Sequence, residues 1–215
     1  MIKTLPLAAL AALTSLAGCM PMAPAREDAF AVADSAAYNK DFKKLRVAVF
    51  YSKNTQNAMS HISAVKSAAG PFSGQITPDA QTVLQRVRGV LDGAFGQTIT
   101  VNSPDEAQPQ RAQLLAVVDL YAQIKTYSFA TTSLDVTVDF RTADRQPVAV
   151  VKGYGSGMVP YPAFTSRWNG SAEAALQSFA LAFSSNAELA DFAAAAPAAA
   201  PAAGIVAPPL AAPVK

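Results

Sequence analysis

Residues 134–157 read "LDVTVDFRTADRQPVAVVKGYGSG", and the fold follows from their alternation. Leu134, Val136, Val138 and Phe140 point one way, and Asp135, Thr137, Asp139 and Arg141 the other. A period of two over this length is that of a strand with one dry and one wet face. "TADRQP" (142–147) is a turn, and "VAVVKGYGSG" (148–157) is the returning strand. Upstream, "QLLAVVDLYAQIKTY" (113–127) alternates in its second half, with Leu120, Ala122 and Ile124 on one face. Together these runs predict an antiparallel meander.

Working outward, "LRVAVFY" (45–51) and "TITV" (98–101) are β-branched runs that predict two more strands. "TPDAQTVLQRVRGVLDGAFG" (77–96) predicts an amphipathic helix. Thr77 is read as its cap, Pro78 as its first residue, Asp79 as suiting the positive end, and Gly96 as its stop. Its apolar stripe runs Val83, Leu84, Val87, Val90, Leu91, Ala94 and Phe95. "NGSAEAALQSFALAFSSNAEL" (169–189) predicts a second helix, capped by Ser171 and striped by Ala172, Leu176, Phe179 and Phe183. A short helix fits "TQNAMSHISAVKSA" (55–68). The expected fold is α+β: a mainly antiparallel sheet of about five strands, with two main helices packed on one face.

The first nineteen residues address a compartment. Lys3 precedes "TLPLAALAALTSLAG", an uncharged run with the plan of a secretory signal and shorter than the ~20 residues of a membrane span. Leu16-Ala17-Gly18-Cys19 resembles the bacterial lipobox, and Cys19 is the only cysteine. The resemblance implies diacylation of Cys19 and cleavage before it, which also accounts for an unpaired thiol in an exported chain. Met20 stands where an aspartate would argue for inner-membrane retention, so the expectation is a periplasm-facing outer-membrane lipoprotein. Composition then divides the chain into a signal (1–18), a lipid-anchored tether (19–44), a periplasmic domain (45–192) and an extended Ala/Pro-rich tail (193–215). Seventeen Lys and Arg against fifteen Asp and Glu leave no basic excess for nucleic acid.

The opening strand "LRVAVFYSKNT", the helix 78–95, "LLAVVDLYAQI" and the hairpin feeding a last helix resemble a group of small periplasmic lipoprotein domains. It includes the YajG-type lipoproteins, the periplasmic domain of the curli secretion-channel lipoprotein and the amino-terminal domain of TolB. The resemblance spans about residues 45–190. It implies an envelope component that binds, scaffolds or assembles, and fold likeness transfers no site residue.

No catalytic constellation emerges. His61 is the only histidine, no Gly-x-Ser-x-Gly elbow is present, and with Cys19 acylated no metal set remains. "GYGSG" lacks the P-loop pattern. Asp135 and Asp139 fit a solvated strand face, and Asp119, amid apolar neighbours, is read as paired with Arg141 or Lys152. The expectation is a protein that is no enzyme and needs no cofactor or metal.

For binding, the informative segment is "GYGSGMVPYPAFTSRWNG" (153–170). Tyr154, Met158, Tyr161, Phe164, Arg167 and Trp168 are of the types that anchor interfaces, and the glycines allow close backbone approach. The competing reading is a crossover whose aromatics cap the sheet edge and cover the last helix. Lys215 follows an otherwise uncharged tail, as in lipoproteins joined to peptidoglycan through a final lysine. The leading expectation is a non-catalytic scaffold or assembly partner in an envelope complex. The alternative is an accessory lipoprotein that carries lipid or a small molecule in an apolar pocket between sheet and helix.

Overall fold

A computed structural model describes residues 38–70, 78–124, 131–158 and 164–198. Its elements are β1 (Arg46–Tyr51), α1 (Lys53–Ala68), α2 (Ala80–Ala94), β2 (Gln97–Val101), β3 (Leu114–Gln123), β4 (Thr131–Thr142), β5 (Pro147–Met158), α3 (Phe164–Ser184) and α4 (Ala187–Ala195). Two short 3-10 turns, Lys40–Lys44 and Pro104–Glu106, complete the order. The five strands form one sheet in the order β2-β1-β3-β4-β5. The expected meander is present as antiparallel β3-β4-β5, while β1 lies parallel to both β2 and β3. The fold is α+β, with a mixed sheet in which antiparallel pairing predominates.

Among the described residues four helices contribute to a single core against one sheet face: the two main ones expected, the short one expected over 55–68, which is α1, and α4, which was not expected. Val47 and Val49 of β1, the even-numbered positions of β3, Leu134, Val136, Val138 and Phe140 of β4, and Ala149 and Val151 of β5 point into it. Aromatic rings fill its centre. Phe183 packs against Tyr38, Phe42, Phe95, Phe140 and Phe179 with ring centroids 5.6–6.2 Å apart. Edge-on and tilted pairs at such distances add to the gain from area burial.

Several local expectations are corrected. The cap of α2 is Asp79 rather than Thr77, which lies outside the described residues. Its carboxylate accepts from the Thr82 backbone N–H at 2.9 Å and from Lys66 at 3.0 Å, which holds its pKa at about 2. Pro78 therefore precedes the helix. Gly96 follows a helix that closes at Phe95 in extended geometry, and its lack of a side chain serves packing: a Cβ there would lie 2.0 Å from the Lys43 carbonyl oxygen. Ser171 is no cap, because α3 begins seven residues earlier. The buried Ser171 hydroxyl instead bonds Thr132 on β4. The tether boundary at 44 also gives way, since Phe42 is buried among aromatic rings. So does the tail boundary at 193: α4 runs to Ala195 with Ala193 buried, and Asn186 caps it through the Leu189 N–H at 2.8 Å.

β5 and α3 pack backbone against backbone. A Cβ on Gly153 would stand 2.3 Å from the Ala175 carbonyl oxygen and 2.5 Å from the Phe179 nitrogen. One on Gly155 would stand 2.0 Å from the Ser171 oxygen and 2.6 Å from the Ala175 nitrogen. These are backbone atoms and cannot swing aside. Gly153→Ala and Gly155→Ala are each expected to cost about 3 kcal/mol, the upper part of the overpacking range. Gly89, exposed on α2 with open space around it, provides the control. Gly89→Ala should gain roughly 0.5–1 kcal/mol from helix propensity. Urea unfolding of the three variants checks both signs.

Candidate binding face

The described residues cover the sheet's second face only in part. Ala107 and Ala112, from the segment between β2 and β3, pack with Ala48, Val101 and Leu115 over its β2-β1 side. Beyond that patch, β3, β4 and β5 turn alternate residues away from the helices. Their registers stack these residues in rows: Val117–Asp139–Val150, Asp119–Thr137–Lys152 and Tyr121–Asp135–Tyr154.

In the last row Tyr121 and Tyr154 are 61% and 55% exposed, and they flank Asp135 from either side. Paired residues of neighbouring strands have side chains within mutual reach, so the rings remove water from the carboxylate. Burial pushes the Asp135 pKa up. Asp135 makes no ion pair and no side-chain hydrogen bond among the described residues. Its neighbours are better satisfied. Asp139 is held by Arg141 of the same strand at 2.6 Å, which raises the guanidinium pKa in turn. Asp119, read from sequence as a partner of Arg141 or Lys152, instead accepts from Ser52 Oγ at 2.5 Å and Asn54 Nδ2 at 3.3 Å. Those two residues sit where β1 gives way to α1. There Thr55 takes over from the ended strand, donating to the Val118 carbonyl at 2.7 Å and accepting from the Leu120 N–H at 3.0 Å.

Tyr121 also walls a cleft of about 230 Å³ against Asn54, Asn57 and His61 of α1. His61 is exposed there, with no carboxylate among the residues lining the cleft. Among the described residues no three His, Cys, Asp or Glu side chains gather as a metal would require.

The sequence-predicted interface residues part company. Tyr154 is exposed on the open face. Trp168 is fully buried, and its indole N–H donates to the Pro78 carbonyl at 2.9 Å, tying α3 to the start of α2. It is a core residue, because a ring of that area with a partnered N–H is most stable out of water. Met158 ends β5 opposite Thr131, and Phe164 and Arg167 belong to the first turns of α3. The side chains of these three, and all of Tyr161, Cys19 and Lys215, lie outside the described residues. Gly153 and Gly155 of "GYGSG" admit a helix backbone rather than a partner. Tyr121 and Asp135 were missed as binding residues. The alternation places both on the wet face, but only the register sets them beside Tyr154.

No protein-family model matches the chain, and no curated protein matches it. Similar solved structures include the PelC dodecamer from Paraburkholderia phytofirmans in space group P6. It is 12% identical over 66% of this chain and 92% of that one, with a TM-score of 0.37. A point variant of that dodecamer in space group C2 is 14% identical over 67% and 94%, with a TM-score of 0.30. Likeness at these scores assigns neither activity nor partner.

The raised Asp135 pKa fixes a sign. The folded form holds this proton more tightly than the unfolded chain, whose aspartate titrates near the ordinary 3.8. Asp135 therefore weakens the fold at neutral pH, and the loss is recovered as pH falls through the raised value toward 3.8. Asp135→Asn is expected to melt above the parent protein at pH 7, with the gap closing by about pH 3.5. Melting temperatures of both chains across that range check it.

Proposed function

We propose that the chain is a non-catalytic lipoprotein of the outer membrane, facing the periplasm and anchored through acylated Cys19, which serves as a scaffold or assembly partner in an envelope complex. Its contact surface is the uncovered face of β3, β4 and β5 rather than the whole aromatic segment 153–170. The observation that carries this reading is the exposure of Tyr121, Tyr154 and Val150 on one side of the sheet, while the helices cover the other. Exposed tyrosines grouped on a rigid sheet suit protein contact, since they bring large amphipathic area at small entropic cost. Location rests on the lipobox Leu16–Cys19. Among the described residues no helix is long and apolar enough to cross a membrane, and on this reading acyl chains on Cys19 hold the protein to the bilayer.

The carrier alternative needs an apolar pocket between sheet and helix. The contact of Gly153 and Gly155 with the α3 backbone, and the ring cluster around Phe183, give it no support. Two experiments test the proposal. Labelled palmitate should enter the full chain and not Cys19→Ala. Crosslinked pull-down from membranes should recover a stoichiometric envelope protein with the parent chain and lose at least tenfold of it with Tyr121→Ala/Tyr154→Ala at an unchanged melting temperature. Undiminished recovery by that variant would remove the face from the proposal.

A further inference from the structure

β3 outlasts the strand beside it. β1 pairs with it only from Leu114 to Val118, and β3 runs on to Gln123. Where β1 ends, the Ser52 N–H donates to the Val118 carbonyl at 3.0 Å. One step further the Thr55 hydroxyl stands in for a strand, accepting from the Leu120 N–H at 3.0 Å. Main-chain groups of a strand face its two sides by turns, so Ala122 turns its N–H and C=O to the same side as Leu120. Among the described residues no strand or stand-in pairs with the edge at Ala122. Ala122 is only 9% exposed. Main-chain groups shielded from water need partners, and an open strand edge is a template for another strand.

The cleft of about 230 Å³ lies at this edge, between Tyr121 and Ala122 of β3 and Asn54, Asn57, Ala58 and His61 of α1. The four helical positions are spaced three, four and seven residues from the first, which puts them on one helix face. Ala58 and Ala122 are small and buried, which keeps the space between helix and strand open. Asn57 and His61 make no side-chain hydrogen bond among the described residues. Asn54 Nδ2 donates to Asp119, which leaves its carbonyl oxygen for another donor. An asparagine amide carries one kind of donor and one acceptor, as a peptide group does. No Lys, Arg, Asp or Glu is among the residues lining the cleft.

An extended peptide in this cleft has a partner for each of its two edges: the main chain of β3 at Ala122 on one side, and the amides of Asn54 and Asn57 on the other. Addition of a strand to a free edge draws affinity from main-chain bonds and selectivity from the pockets that take alternate side chains. From Leu120 to Gln123 the edge offers room for about four residues at roughly 3.3 Å each. Side chains that meet Ala58 and Ala122 must be small, and the absence of charge in the lining favours an uncharged segment.

We infer that the edge of β3 beyond Leu120, with the α1 side chains facing it, is a second binding site, and that its occupant is a short, extended, uncharged segment of a partner protein added to the sheet in line with β1. The site shares Tyr121 with the open face but uses the other boundary of β3, so it does not rest on the reading of that face.

The probe is a library of end-blocked pentapeptides built from glycine, alanine, serine, threonine and valine. Panning against the full chain in detergent should enrich members of it over a matched column of Asn57→Ala. Titration of an enriched peptide into ¹⁵N-labelled chain should shift the Ala122 backbone N–H and the Asn57 side-chain amide. Asn57→Ala should weaken binding at least fivefold at an unchanged melting temperature. N-methylation of the peptide, one position at a time, should weaken binding at least tenfold at alternate positions, as main-chain pairing requires. No enrichment over the Asn57→Ala column, or binding indifferent to methylation at every position, overturns the inference. A dimer of the parent chain that Asn57→Ala splits would make the occupant a second copy and overturn the partner assignment. Tyr154→Ala lies outside the cleft and should bind the peptide as the parent does. No peptide binding, alongside loss of capture in Tyr121→Ala/Tyr154→Ala, would remove only the cleft. Peptide binding with undiminished capture would remove only the open face.

Discussion

The approach of α3 to β5 is the constraint on which the rest of the molecule turns. Two glycines two residues apart present bare backbone to the helix, and the helix backbone fills the space their side chains would occupy. Interiors pack at crystal-like density, so a helix seated this deeply fixes its neighbours as well. Phe179 and Phe183 are driven into the ring cluster, Ser171 reaches the Thr132 hydroxyl, and Trp168 reaches the carbonyl before α2. The same seating spends the helices on one side of the sheet. Among the described residues no further element covers the outward side chains of β4 and β5.

That division gives one short sequence two tasks. In "GYGSG" the inward Gly153 and Gly155 admit α3, and the outward Tyr154 stands exposed beside Asp135. A strand can serve both tasks because its side-chain period is two. The cost to the open face is a partly buried carboxylate that makes no ion pair among the described residues.

Where one physical signal dominated, the sequence was readable. Alternation in Leu134–Arg141 named both faces of β4, and the stripe from Val83 to Ala94 named the buried side of α2. Parallel pairing of β1 with β2 and β3 was not readable, because short β-branched runs carry no direction. The start of α3 was placed too far along the chain: Ser171 imitates a helix cap, and only tertiary contact with Thr132 explains a buried serine inside a helix. Composition misled most at Trp168. Tryptophan is enriched at interfaces and in cores alike, and what separates the two is a carbonyl ninety residues away in sequence. The row Tyr121–Asp135–Tyr154 was half legible, its face given by parity and its membership by register.

Both ends of the described chain meet the domain at one rim. The turn Lys40–Lys44 lodges Phe42 beneath the rings and lies against Gly96, with the Lys43 ammonium bonded to the Gly93 carbonyl at 2.6 Å. The exit at Pro197 is held by Gln113 beside Arg46. Load applied between an anchor upstream and an attachment downstream would therefore enter and leave at the same end. It would peel the 40–44 turn and α4 from the core one contact at a time, and would not draw the strands lengthwise past one another. The domain is built to yield at its rim under tension while the sheet, and the face it displays, keeps its shape.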